Sequence, residues 1–170
     1  MKIDRHGKAK ILSVEEVQLL FNSGLQTERD RALFGIYLFC ACRIQEACTL
    51  RTVDVYDASG RVRPKLIIRK GNTKGKLATR TIPVIDDLRI LLTNYQPATG
   101  QPYLSPGRFG EPFQPDSADK ALRKACKRVG LEGVSSHSFR RSALTQMSDA
   151  LIPLRIVQEV RSYAVELKMR

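Results

Sequence analysis

At 170 residues the chain has room for one domain around a single hydrophobic core, and no stretch approaches the ~18 unbroken apolar residues of a membrane span. Its composition, 42% hydrophobic and 27% charged, is that of a globular chain, which excludes the disordered class together with the membrane class. Lys and Arg outnumber Asp and Glu to leave a net charge of +12, so polyanions are the expected partners, although charge alone also fits a basic protein that merely stays soluble or coats RNA.

Met1 to Lys10 is basic with no apolar segment behind it, which predicts no secretory signal and a cytoplasmic location. Four cysteines fit that compartment. Cys40, Cys42 and Cys48 lie in one apolar helical run, where thiols behave as small hydrophobes, and Cys126 stands apart. There is no C-x-x-C pair, and His6 and His137 are far from the run, so no metal site is expected.

Ser13-Val-Glu-Glu16 is a capping box followed by Val17, Leu19, Leu20 and Phe21, which predicts a helix from about Ser13 to Ser23 with Gly24 as its stop. A second helix is expected to start near Thr27, with Glu28 and Asp30 in its first turn. It carries the run Ala32 to Cys42, too apolar on all sides to face water. Arg43 ends that run, and Ile44 to Leu50 continues helically. Asp57-Ala-Ser-Gly60 is a turn, Lys65 to Arg69 a strand, Lys70 to Lys76 a basic glycine-containing loop, and Ala78 to Val84 a return strand. Together these make a β-hairpin with a positive tip.

Asp86 is expected to cap a short helix, Leu88 to Asn94, and Gln96 to Pro115 reads as a surface loop. Asp116 to Val129 is an amphipathic helix with Lys120, Arg123, Lys124, Lys127 and Arg128 outward, a face equally suited to solvent or to phosphates, and Gly130 ends it. Ser135 or Ser136 caps the next helix, His137 to about Ala150, and Pro153 opens a last one through Val165.

Three features carry chemistry. His137-Ser-Phe-Arg140-Arg141 places an imidazole and a guanidinium on one face of a helix start, beside amide donors that favour an anion. Arg43, at the end of an apolar helix, must snorkel out or point into a polar site within the core. Lys70, Lys74 and Lys76 at the hairpin tip are basic groups able to reach a DNA backbone or to lie solvated.

In this order the features make the chain resemble the tyrosine recombinase (phage integrase) family. The matching segments are S-V-E-E-V-Q-L-L from Ser13, C-R-I-Q-E-A-C-T-L-R from Cys42 to Arg51, and T-K-G-K-L-A-T-R-T-I-P-V from Thr73 to Val84. S-S-H-S-F-R-R-S-A-L-T-Q-M follows from Ser135 to Met147, then I-P-L-R-I-V-Q-E-V from Ile152 to Val160. The resemblance implies an α+β, mainly α catalytic domain over residues 11–170, with a small antiparallel hairpin or a three-stranded sheet between Val53 and Val84. It implies site-specific cleavage and rejoining of double-stranded DNA through a phosphotyrosine intermediate, with no metal and no nucleotide cofactor. Partners would be DNA and other recombinase protomers on DNA, with a monomer in isolation and no membrane.

The resemblance assigns Arg43 and Arg140 to clamping the scissile phosphate, His137 to proton management and Lys74, or alternatively Lys76, to the general acid. Glu46 matches the family's supporting acidic residue, its plainer role being an ion pair with Arg43. Lys70, Arg80 and Arg141 are supporting or DNA-contacting positions. By register Ser162 and Tyr163 stand where the family has a glycine and a second His or Trp, and the nucleophile is expected just past Arg170. Tyr163 is then the candidate displaced nucleophile, while Tyr37, Tyr56, Tyr95 and Tyr103 read as packing residues. The domain is thus expected to lack the N-terminal DNA-clamp domain and to be truncated before the nucleophile. The alternative function is a non-catalytic DNA-binding remnant or regulator.

Overall fold

The computed structural model describes residues 9–72 and 78–149. Lys74, Lys76, Tyr163 and the helix expected from Pro153 lie outside the described residues. Ser13 opens α1 (Val14–Leu19) with the reciprocal capping box: Ser13 Oγ accepts from the Glu16 amide at 3.1 Å, and Glu16 Oε2 accepts from the Ser13 amide at 3.0 Å. The helix then widens into a π-turn over Leu20–Gly24, closed by the Leu25 amide donating to the Leu20 carbonyl at 2.8 Å. Gly24 serves close approach there, since a Cβ would sit 2.9 Å from the backbone oxygen of Ala125.

Thr27 caps α2 (Glu28–Phe39), its Oγ1 accepting from the Asp30 amide. This helix is apolar on all sides because it is packed on all sides, with Ala32 to Leu38 buried. Around it stand α3 (Ile44–Cys48), α4 (Asp86–Asn94) and α6 (Ser136–Asp149), while α5 (Pro115–Arg128) packs on α3 and on the π-turn. At Gly35 a Cβ would meet Leu91 Cδ1 at 2.5 Å, so the missing side chain lets α4 lie against α2. Phe139 of α6 locks the centre, its ring 5.8 Å from Tyr37, 5.6 Å from Phe34 and 6.4 Å from Phe21 between centroids. Burying a ring of this size contributes about 1.5–3 kcal/mol.

The central helix is shorter than its apolar run suggests. It ends at Phe39; Cys40 closes it, Ala41 takes a left-handed conformation (φ +47°), and Arg43 is extended before α3 begins. Composition marked the run as buried but holds no record of backbone direction, and the turn at Ala41 redirects the chain so that Arg43 heads a new helix.

The sheet has two antiparallel strands, β1 (Lys65–Ile68) and β2 (Arg80–Pro83), paired from Lys65 with Pro83 to Ile68 with Arg80. Leu66 and Ile68 are buried beneath it. No third strand forms among the described residues. The segment from Val53 contributes a short helical turn (Thr52–Asp54) and an isolated pairing of Tyr56 with Val62. The turn is tied to the hairpin by buried Asp54, which accepts from Arg69 at 2.6 and 2.8 Å.

Two local expectations are corrected. Asp86 is the first residue of α4 and makes no side-chain cap; with Asp87 it acts through its charge at the helix N-terminus. The segment Gln96 to Pro115 is not wholly a surface loop. The Leu104 amide donates to the Leu50 carbonyl at 2.9 Å, the Thr52 amide donates to Pro102, and Leu104 and Ser105 are buried, because the turn after α3 leaves backbone groups that this segment satisfies. Tyr56 and Tyr95 donate their hydroxyls to carbonyls of α4's end and of Leu104. Among the described residues no helix is long and apolar enough to cross a membrane.

The strain at Ala41 is testable. A β-branched residue fits the left-handed region poorly, so Ala41→Val should cost more than about 2 kcal/mol in urea denaturation, while Ala41→Gly should stay within about 1 kcal/mol of the parent. The cysteines give a second test. All four are buried, and burial pushes Cys40 and Cys48 up to about 12, Cys126 up to about 11 and Cys42 well above its ordinary range. Iodoacetamide at pH 8 should therefore label none of the four until denaturant is added, as read by intact mass.

Candidate functional site

Arg43 stands immediately before α3, half-buried, with its amide donating to Glu46 Oε2 at 2.9 Å. Glu46 is 1% exposed and makes its ion pair with Arg80 across the domain, not with Arg43. Arg80 Nη1 donates to Oε1 at 3.0 Å and Nη2 to Oε2 at 2.8 Å, a two-pronged contact between β2 and α3. Burial works to raise the Glu46 carboxyl, and the hydrogen bonds from Arg80 and the Arg43 amide overcome it, leaving the group below its usual range.

The opposite wall is the start of α6. Ser135 and Ser138 exchange bonds there: the Ser138 amide donates to the Ser135 carbonyl at 2.8 Å and the Ser135 amide to Ser138 Oγ at 2.9 Å. Ser135, one of the two expected residues, thus stands at the N-cap position, and the side-chain bond of the cap is made by Ser138 reaching back. The Ser136 side chain lies near the Tyr37 phenol, and the Ser135 hydroxyl is buried with no partner among the described residues. Tyr37 is 1% exposed, and its phenol is pushed far up by burial, which leaves it a packing group. His137 is exposed in the first turn, and Arg140 follows one turn on, half-buried.

Arg140 and Arg43 share this site. Burial first, and then the positive charge of Arg43, hold the Arg140 guanidinium below its ordinary value, and it still remains charged. Among the described residues neither arginine forms an ion pair, since the buried carboxylate between them is committed to Arg80. Beside the α6 start an open cleft of about 580 Å³ is lined by Ile44, Asp116, Asp119, Arg123, Ser135 and His137. Neither Arg43 nor Arg140 lines that cleft; two like charges beside a helix N-terminus are, chemically, an arrangement able to attract an anion.

Among the described residues, Lys70 and Arg141 make contacts of their own. Lys70 is exposed at the hairpin base, where its amide donates to Thr79 Oγ1 and the Asn72 side chain donates to the Thr49 carbonyl. Arg141 Nη1 donates to the Ala9 carbonyl at 2.7 Å. On α5, Arg123 pairs with Asp119 and Arg128 donates to the Gly24 carbonyl, while Lys120, Lys124 and Lys127 are exposed. The Glu46–Arg80 partnership has no local signal, because the two residues are 34 apart in sequence.

The Phage integrase family profile matches residues 10–164. The chain belongs to this family. Among relatives of the integrase family, Tyrosine recombinase XerA of Pyrococcus furiosus is 28% identical over 161 residues, covering 91% of this chain and 54% of the relative. The chain spans about half the length of the curated relatives it matches. The crystal structure of XerA recombinase superposes with a TM-score of 0.74 at 19% identity, over 94% of this chain and 56% of that one. A lambda integrase dimer bound to a COC′ core site follows at TM-score 0.67 and 16% identity, over 91% and 45%. The mainly helical α+β fold is therefore that of integrase-family catalytic cores.

In this integrase-family domain the buried carboxylate should leave a mark on acid stability. Because the folded-state Glu46 group lies below its unfolded value, its contribution is present above the unfolded pKa and is lost as pH falls through the folded one. Urea midpoints should drop below about pH 4.5, and Glu46→Gln should flatten that limb relative to the parent while lowering the neutral-pH midpoint.

Proposed function

We propose that residues 11–170 form the catalytic unit of a site-specific DNA recombinase that cleaves and rejoins strands through a 3′-phosphotyrosyl link. One observation carries the reading: Arg43 at the head of α3 and Arg140 in the first turns of α6 are both half-buried and within electrostatic reach of each other, while Arg80 takes up the carboxylate of Glu46. Two positive charges with no ion pair among the described residues fit the two non-bridging oxygens of a phosphodiester, and they bind more tightly as negative charge grows on those oxygens. The membership of the family and the likeness in fold to an integrase bound to its core site support the same reading.

The chemistry then needs a tyrosine oxygen to attack phosphorus while the 5′ oxygen leaves with a proton, so that the phosphodiester energy is kept for rejoining. His137, exposed beside the clamp, serves the nucleophile's proton. Lys74, with Lys76 as the alternative, supplies the proton to the leaving oxygen. The nucleophile is Tyr163 or a tyrosine donated by a second protomer on DNA, the chain itself being a monomer in isolation.

Fluorescence anisotropy with a labelled duplex should show affinity falling by at least about a hundredfold between about 50 and 200 mM salt, as counterion release requires. Arg43→Ala and Arg140→Ala should each weaken binding by about tenfold or more at low salt. Salt-independent affinity overturns the reading. Incubation with a pool of nicked duplexes should give an SDS-resistant adduct that Tyr163→Phe abolishes; tight, salt-sensitive binding with no adduct assigns the chain the non-catalytic DNA-holding role.

A further inference from the structure

We propose that Arg80 is a positioning residue that keeps the phosphate clamp open by occupying Glu46, and that it does so without touching DNA. The proposal deepens the recombinase reading and rests on it for its consequence, while its structural core stands on the apo protein. Arg80 sits at the hairpin-tip end of β2, opposite Ile68, with a side chain only 13% exposed. Both of its terminal nitrogens are directed at Glu46, one on each carboxylate oxygen. A guanidinium engaged in this way has its fork filled and has little surface left for a phosphate.

Glu46 is the carboxylate within electrostatic reach of Arg140, and it also receives the Arg43 amide. Left without Arg80, a buried carboxylate would take the closest available cation, and those are the two arginines proposed to hold the phosphate. The two-pronged contact therefore does two jobs. It holds Oε2 where the Arg43 amide reaches it, fixing the entry to α3, and it keeps the carboxylate from neutralising Arg43 or Arg140. A second contact ties the hairpin to the same helix: the Asn72 side chain donates to the Thr49 carbonyl at 3.0 Å at the C-terminal end of α3, so the hairpin holds that helix at its middle and at its end.

Two measurements test this. The first uses the protein without DNA: amide hydrogen exchange by NMR in Arg80→Met should be about tenfold faster at Arg43 than in the parent, with Phe34 and Leu38 of α2 unchanged and Arg80→Lys intermediate. If Arg80→Met does not fold, Arg80→Lys and the double variant Arg80→Met/Glu46→Gln, which removes the stranded charge, carry the comparison. Unchanged exchange at Arg43 overturns the proposal. The second measures duplex affinity at low salt: Arg80→Met should bind about tenfold more weakly, and adding Glu46→Gln should recover most of that loss. A loss that Glu46→Gln does not recover, with the salt slope reduced by about one, makes Arg80 a direct phosphate contact and overturns the proposal. If the parent shows no salt-sensitive DNA binding, the recombinase reading fails alone, and the exchange measurement still decides whether Arg80 positions Arg43.

Discussion

Glu46 is a carboxylate with 1% of its surface exposed, and the way its charge is held organises much of the domain. Removing such a group from water costs several kcal/mol even after the surroundings relax, and only close, well-directed partners offset that cost. Here the partners are a backbone amide one helical turn away and a guanidinium from the far strand of a hairpin. The first sets where α3 begins. The second brings β2, and with it the base of the basic hairpin tip, against the same helix. A short helix, a two-stranded sheet too small to be stable on its own and an extended arginine thereby become one unit.

The other half of the site is held by packing. Phe139 lies between Phe34, Tyr37 and Phe21, so the helix carrying His137 and Arg140 cannot slide or rotate without opening the centre of the core. The entering chain adds a second restraint: the Leu12 amide donates to Ser142 Oγ at 2.8 Å, Ser142 in turn donates to the Ser138 carbonyl, and Arg141 holds the Ala9 carbonyl. Arg43 is placed by a turn with strained backbone and Arg140 by an interlocked helix. Two like charges kept together in this way store repulsion that an anion relieves, and this is the physical basis of the function proposed for the site.

Features that depend on near neighbours were legible in the sequence. The Ser13–Glu16 box, the Thr27 cap, the burial of the Ala32 to Leu38 run and the antiparallel pairing of Lys65 to Ile68 with Arg80 to Pro83 all follow from local spacing and hydrophobic pattern. Features that depend on direction or on distant partners were not. The apolar run through Cys42 gave no sign of the reversal at Ala41. The Pro- and Gly-rich segment after Gln96 looked solvated, although Leu104 and Ser105 plug the gap beside Leu50. Arg141, adjacent to Arg140, reads as a supporting or DNA-contacting position, and nothing in the sequence signals that its side chain donates to the Ala9 carbonyl.

The sequence by itself determined the family, the mainly helical α+β class and the boxes that hold the arginines and the histidine, because each box is a run of neighbouring residues with its own local chemistry. Tertiary structure decided which charges are spent in ion pairs and hydrogen bonds among the described residues and which are not. Arg43, Arg80, Arg140 and Arg141 are equivalent cations on the page of a sequence. Only the packing of α3 against the hairpin and of α6 against α2 commits Arg80 to Glu46 and Arg141 to a carbonyl, leaving Arg43 and Arg140 as neighbours, since electrostatic partnership depends on distance through space and not along the chain.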